Sequence, residues 1–184
     1  MSIFDDLNNE FAKSRDRFWQ YQNQAVGFTY SFAEKFRNYI GAPEKYTENF
    51  DGPKEKKYVE IRKLIPISDD KFRAEECDNK VDCLNIDENG YREFALCVRL
   101  ERKSNSWPKE LFPIYCKFVI ENDICYLNIT TRSDGRFEVR LTDDSGITKA
   151  FDFIRQLLIE TLQSKPYERL PENSTIGFLA PTRP

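Results

Sequence analysis

The sequence predicts an α+β fold: a long N-terminal helix, a five- to six-stranded antiparallel meander sheet, and a C-terminal helix packed on the apolar sheet face. Three observations lead to this prediction. Apolar residues recur at helical spacing over residues 3–39. The period of the apolar residues changes to two from residue 58, with short turn sequences between the runs. Helical spacing returns over residues 147–164.

The first predicted helix carries two rows of side chains that recur every seven residues. One row is Phe4, Phe11, Phe18, Ala25, Phe32 and Tyr39, and the other is Leu7, Ser14, Tyr21, Phe28 and Lys35. Such a helix spans about 55 Å, whereas a strand of six residues spans about 20 Å. We therefore expect a kink near Gly27, or a part of the helix that extends beyond the sheet. The rows predict packing on the chain's own sheet or a seam for another chain.

The chain divides into four segments on composition and period. Residues 1–40 form the helical segment, and residues 41–57, rich in Pro, Gly and charged residues, are predicted to be a linker or loop. Residues 58–164 hold the sheet and the C-terminal helix. Residues 165–184 form a Pro-rich tail without a period.

Turn sequences fix the register of two predicted hairpins. A two-residue turn at 122–123 pairs Ile120 with Cys125. The apolar face of that hairpin then holds Cys116, Phe118, Ile120, Cys125, Leu127 and Ile129. At the next hairpin, a three-residue loop over 133–135 sets Ile129 opposite Val139 and keeps apolar residues on one face.

Composition and charge exclude several classes of function. The chain of 184 residues contains no His, which removes the usual general base and a common metal ligand, so we expect no metal and no cofactor. A net charge of −3 gives no overall attraction to nucleic acid. The N-terminus lacks an apolar signal region and no long apolar run occurs, so we expect a cytoplasmic protein with no membrane contact.

The five cysteines follow no metal-binding spacing. In a cytoplasmic protein we expect them to be reduced. Cys116 and Cys125 fall on the predicted apolar face, whereas Cys77 and Cys83 fall in a polar loop, where we expect them to be exposed.

One pattern suggests catalysis. Asp87, Glu101 and Lys103 follow the order of acids and lysine found in Mg²⁺-dependent nucleases, in which two carboxylates bind the metal and a lysine steadies the phosphate. The chain is rich in charged residues, and the Asn-Gly turn explains the polarity around Asp87 by itself. A Mg²⁺-dependent phosphodiesterase is therefore an alternative hypothesis rather than the main one.

The main hypothesis is a non-catalytic, cytoplasmic protein-binding module, such as a chaperone, an adaptor or an immunity-type inhibitor. It would bind another protein, or a second copy of itself as a homodimer, through the N-terminal helix or the outer face of the sheet. The candidate contact residues are Phe11, Phe18, Trp19, Tyr115, Lys117 and Tyr126. A third hypothesis is a carrier of a small apolar ligand, if the sheet curls into a half-barrel.

Overall fold

The structure, a computed structural model, describes residues 2–48, 53–68, 71–101, 109–130 and 133–163. The helices are α1 (Ile3–Tyr39) and α2 (Ile147–Gln163), with one 3₁₀ turn at Ser133–Gly135. The strands are β1 (Lys45–Glu48), β2 (Lys54–Lys57), β3 (Val59–Ser68), β4 (Lys71–Glu75), β5 (Asn85–Ile86), β6 (Arg92–Glu101), β7 (Lys109–Glu121), β8 (Ile124–Ile129) and β9 (Arg136–Arg140). Among these residues, neither helix combines the length and the hydropathy needed to cross a membrane.

Seven of the described strands form an open antiparallel sheet in the order β4-β3-β6-β7-β8-β9, with the short strand β5 paired to β6, and β1 and β2 form a separate two-stranded sheet. The predicted α+β class, with both helices and an antiparallel sheet, is confirmed. The sheet has seven strands, compared with the five or six predicted. From β6 to β9 each strand pairs with the next in the chain, as the alternating pattern and short turns indicate.

Both helices pack on one side of the sheet, which we call the inner face. Its largest fully buried side chains include Phe94, Leu96, Phe112, Ile114, Phe118, Leu127 and Ile129. From α1, Phe28 packs on Phe118 with ring centroids 5.1 Å apart. From α2, Phe151 lies 5.1 Å from Phe32 and 5.4 Å from Phe36. The two helices and the sheet therefore share one core, as predicted for the C-terminal helix.

α1 continues as one helix through Gly27, where the sequence suggests a kink or break. A Cβ added at Gly27 would meet no atom within 4 Å. Helical spacing continues on both sides of this glycine. A single glycine weakens a helix only modestly, and the packing of Phe28 and Phe32 outweighs that effect.

The β7–β8 hairpin has the predicted register. Ile120 lies opposite Cys125, and Phe118 lies opposite Leu127. Asn122 and Asp123 adopt positive φ angles of 49° and 63°, as a type I′ turn requires. The six residues predicted for its apolar face are all buried.

The β8–β9 register differs from the prediction by four residues. Val139 lies opposite Cys125 rather than Ile129, although it keeps its predicted place on the inner face. The connection is longer than three residues and contains the 3₁₀ turn at Ser133–Gly135. Gly135 lies so close to the carbonyl group of Ile129 that a Cβ there would overlap it. This close contact places the loop against the end of β8, and the periodicity of apolar residues does not predict it.

Residues 41–57, predicted to be a loop, contain the β1–β2 hairpin. Pro43 and Pro53 lie outside its strands, so they do not interrupt the pairing. Tyr46 of β1 is buried, and its ring centroid lies 5.2 Å from that of Tyr58. This tertiary contact stabilises a short hairpin that local composition does not predict.

The cysteine expectation is confirmed for one pair of positions and wrong for the other. Cys116 and Cys125 are buried on the inner face as free thiols. Cys77 and Cys83 form a disulfide instead of remaining reduced and exposed, and Cys83 is 2% exposed. The bond links the end of β4 to the segment before β5. Cys83 also lies in the core cluster beside Leu84, so a loop with many polar residues is held to the core at this point.

The shared core gives a first test. We expect Phe32→Ala to lower the free energy of unfolding by about 3–5 kcal/mol, because Phe32 is 1% exposed and its loss leaves a cavity beside Phe151. Leu162→Ala, an apolar truncation at an exposed position of α2, should alter it by less than about 0.5 kcal/mol. Urea denaturation of both variants measures the difference. Similar losses in the two variants would contradict this description of the core.

Candidate functional site: the projecting half of the first helix

The N-terminal half of α1 extends beyond the body of the domain. We call residues 3–20 the projecting segment; every one of them is classed as exposed. Its large apolar side chains retain high exposure: Phe4 70%, Leu7 64%, Phe11 64%, Phe18 48% and Trp19 49%. At 1.5 Å per residue these eighteen residues extend about 27 Å. The structure therefore leaves exposed a row of large apolar side chains, of the kind that proteins usually bury in the core.

The helix leaves the sheet at the β7–β8 turn. The Tyr21 hydroxyl oxygen accepts a hydrogen bond from the Ile120 amide at 3.4 Å. One turn later, Gln24 donates its side-chain amide to Asp123 at 3.3 Å. From Ala25 to Phe36 the helix buries its apolar positions against the sheet and α2. The boundary between the packed and projecting halves thus lies at Tyr21.

The exposed row continues the buried row without a change of phase. Phe4, Phe11 and Phe18 stand seven residues apart and lead to Ala25 and Phe32, both buried. A seven-residue repeat keeps side chains on nearly the same face of a helix. The face that packs on the sheet after Tyr21 is therefore the face left uncovered before it. We call Phe4, Leu7, Phe11 and Phe18 the aromatic stripe; Trp19 lies edge-on against Phe18, with centroids 5.7 Å apart.

The projecting segment is a capped helix. Ser2 and Asp5 form a capping box: the Asp5 amide donates to Ser2 Oγ at 3.2 Å, and the Ser2 amide donates to Asp5 Oδ2 at 2.9 Å. The hydrogen bonds from Ser2 hold the pKa of Asp5 below its usual value. Lys13 and Glu10 form an ion pair at 2.7 Å. Since helices this short are marginal in water, continuity with the packed half is needed to keep the stripe helical.

A buried cation lies where the projecting segment begins. Arg92 is 2% exposed and points to the inner face, with its guanidinium 5.3 Å from the Tyr21 ring and 6.0 Å from the Phe18 ring. Its Nε and Nη1 atoms have no hydrogen-bond partner among the described residues. Burial lowers the pKa of Arg92. The base of the stripe therefore holds a buried positive charge whose hydrogen-bonding capacity is only partly used within the described chain.

Sequence reasoning missed Arg92, although a signal for it exists. Arg92 stands two residues before Phe94 and four before Leu96, and all three share the inner face. Strand parity alone places it there. A charged residue at an apolar position of a strand was the available clue.

Three predicted contact residues lie on the outer face of the sheet, and they differ in their exposure and in their bonds within the chain. Tyr115 donates its hydroxyl group to Glu93 at 2.6 Å, and burial with this bond raises the pKa of Tyr115. Lys117 forms an ion pair with Asp87 at 2.5 Å. Tyr126 is 37% exposed and lines a cavity of about 520 Å³. Of the three, Tyr126 presents the most accessible surface, because the polar groups of Tyr115 and Lys117 bond within the chain.

The structure describes two of the three predicted nuclease residues, Asp87 and Glu101, and places them far apart. Asp87 follows β5 and accepts hydrogen bonds from the amides of Asn89 and Tyr91 at 2.9 and 2.8 Å. Glu101 ends β6, where it accepts from the Tyr58 hydroxyl at 3.1 Å and pairs with Lys109.

Pairing of β5 with β6 places Asp87 near the start of β6, about 30 Å from Glu101 at 3.3 Å per residue. Lys103 lies outside the described residues. Within the described ranges, no group of three His, Cys, Asp or Glu side chains is arranged to hold a metal ion.

The open sheet also bears on the ligand-carrier hypothesis. The inner face is filled by side chains of α1 and α2. A second cavity, of about 360 Å³, lies between α1 and β3 and is lined by charged residues that include Glu34, Arg37, Lys57 and Glu60. Ligand carriers enclose an apolar space, and neither of these two cavities has that character.

Comparison with known proteins identified no protein family, no curated protein and no solved structure that matches this chain. Two features of the described chain lie next to each other: the uncovered aromatic stripe and, at its base, the incompletely paired Arg92.

The ion pair of Asp87 gives a second test. Partial burial raises the pKa of Asp87, but hydrogen bonds from Lys117 and from the amides of Tyr91 and Asn89 outweigh it, so the pKa lies below its usual value of 3.8. Asp87→Asn keeps an oxygen acceptor for the amides and removes the charge. We expect it to lower the free energy of unfolding by about 1 kcal/mol at neutral pH.

Because the folded-state pKa is depressed, this stabilisation is fully present above pH 3.8 and is lost as the pH falls through the folded value. Urea denaturation at neutral and strongly acidic pH measures the difference between wild type and variant. Asp78→Asn, which removes an exposed carboxylate from the loop after β4, serves as the matched control. A difference that persists unchanged in strong acid would contradict the assignment.

Proposed function

We propose that this protein is a protein-binding module and that the aromatic stripe on the projecting segment is its binding site. The observation that carries the proposal is the exposure of Phe4, Leu7 and Phe11, each at least 64% exposed, on a helix fixed in the core. Covering apolar surface is favourable by roughly 25 cal/mol per Å². Large exposed apolar patches on proteins typically mark sites of interaction.

The shape of the stripe favours a protein partner. The projecting segment is convex and about 27 Å long, whereas small-molecule sites are concave. An amphipathic helix of this kind binds by lying in an apolar groove or by pairing with another helix. The described cavities lie elsewhere, on the outer face and beside β3.

The charges of the projecting segment argue against two other occupants. Its acidic residues are Asp5, Asp6, Glu10 and Asp16, and its basic residues are Lys13, Arg15 and Arg17. Membrane-surface helices carry mostly Lys and Arg on the polar face, to meet anionic lipids. Nucleic-acid contacts also need a basic surface. A balanced polar face with a slight acidic excess fits neither, and it is compatible with a protein surface.

The stripe can be tested without knowing the partner. A photo-crosslinking amino acid replaces Phe11, on the stripe, and in a second variant replaces Asn9, which lies on the opposite face of the same turns. We expect the probe at position 11 to give a discrete adduct with a protein chain, both in the producing cells and in the purified sample. The probe at position 9 should give little.

Denatured gels and mass spectrometry identify the adducts. Equal labelling at the two positions would show that the helix has no preferred binding face. Absence of adducts at position 11 under both conditions would overturn the proposal.

A further inference from the structure

We infer that the occupant of the aromatic stripe is a second copy of this chain, whose own projecting segment lies antiparallel along it. The inference rests on the proposed function, because it names the partner of the same site. Four observations lead to it: the heptad pattern, the position of the sheet, the length of the projecting segment and the placement of its charges.

The stripe has the pattern of a two-helix seam. Phe4, Phe11 and Phe18 occupy one core position of a heptad, and Leu7 and Ser14 occupy the other. Helices pair when apolar residues alternate at spacings of four and three along one face. A second copy presents the same pattern in an equivalent rigid helix, and two-fold symmetric pairing is the commonest form of self-association.

The body of the domain allows only one of the two helix orientations. From Tyr21 onward the sheet covers the same face of α1 that carries the stripe. A partner helix running parallel would have to continue along that face and would collide with the sheet. A partner running antiparallel brings the capped start of its own α1 near Tyr21, because that helix begins at Ile3 with Ser2 as its cap, and its own domain lies at the far end.

Length then selects the register. When Leu7 lies opposite the partner's Phe18, Phe11 lies opposite the partner's Ser14, and the two projecting segments overlap over nearly their whole length. A shift of one heptad in one direction drives the partner into the sheet. A shift in the other direction shortens the overlap to residues 3–15 and leaves Phe18 outside the seam. In the selected register the small Ser14, which interrupts the stripe, leaves room for the ring of Phe11.

Charges flanking the seam agree with this register. In antiparallel pairs the positions just before the first core position face their equivalents across the seam, and these are Glu10 and Arg17 here. Glu10 therefore meets the partner's Arg17, and symmetry repeats the pair. Arg15, on the other flank, meets the partner's Asn8, which is uncharged. The acidic first turn of the partner, with Asp5 and Asp6, ends beside the base of the stripe, where Arg92 is incompletely paired.

The surface area that the two copies could bury predicts a dimer that dissociates on dilution. Aromatic side chains contribute 150–250 Å² each when fully covered. With the exposures of Phe4, Leu7, Phe11 and Phe18, about 1,000 Å² in total is available to the two copies. This is just below the range for specific, stable interfaces, about 1,200–2,000 Å². Added contacts between the partner's first turn and the sheet end raise it.

Sedimentation equilibrium of the full chain over a dilution series tests the inference through charge exchange. The wild type should show a monomer–dimer equilibrium. R17E should raise the dissociation constant by about tenfold, because it sets two pairs of carboxylates against each other. E10R/R17E exchanges the charges and should return the constant to near the wild-type value.

R15E is the matched control, since it makes the same change two residues away opposite Asn8, and it should alter the constant by about twofold at most. All three substituted side chains are exposed in the single chain, so we expect the variants to fold, and circular dichroism checks this. Equal weakening by R15E and R17E, or no rescue by E10R/R17E, overturns the antiparallel register.

The outcomes separate this inference from the proposed function. A chain that stays monomeric at every concentration, while the probe at position 11 labels a different protein, overturns self-pairing and leaves the binding site in place. A cross-link from position 11 to the same chain within a monomer also overturns self-pairing. A monomer with no adduct at position 11 overturns both.

Discussion

The packing of Phe28 on Phe118 and of Phe32 on Phe151 is the contact on which the rest of the structure depends, because it holds α1 against both the sheet and α2. Each fully buried Phe contributes about 1.5–3 kcal/mol from burial. A helix is stiff over this length, so anchoring residues 21–39 also sets the direction and rotation of residues 3–20. The face exposed by the stripe is therefore decided in the core.

Because the helix already holds the aromatic stripe in place, binding would require little further ordering of its backbone. Ordering a flexible segment at an interface opposes association, by about 0.5–1.5 kcal/mol for each immobilised side chain and more for the backbone. In this chain the capping box of Ser2 and Asp5 and the continuity of the helix have already ordered the backbone. The remaining unfavourable free energy of association comes mainly from ordering side chains and from bringing two molecules together. This is why an apolar area near the lower limit for specific interfaces is compatible with binding.

The sequence predicts what depends on local periodicity and turn chemistry, and it fails where distant residues meet. Asn122-Asp123 defines its hairpin because both residues accept positive φ, and the register follows. The β1–β2 hairpin depends on Tyr46 reaching Tyr58, and the β8–β9 register depends on the close contact of Gly135 with Ile129. The heptad row is visible in the sequence, but the end of the sheet, and hence the exposed part of the row, is not.

The charged side chains on the two faces of the sheet differ in how they are paired. Arg92, on the inner face, lies next to the aromatic stripe. On the outer face Glu60 pairs with Arg62 and Arg99, and Lys117 pairs with Asp87. On the inner face Arg92 lies beneath aromatic rings with two nitrogen atoms that find no partner in the described chain. The uncovered aromatic stripe and the incompletely paired Arg92 thus lie side by side where α1 leaves the sheet. An approaching chain that is apolar along one face and acidic at its end would cover the first and bring negative charge near the second, and the first turns of α1 have that composition.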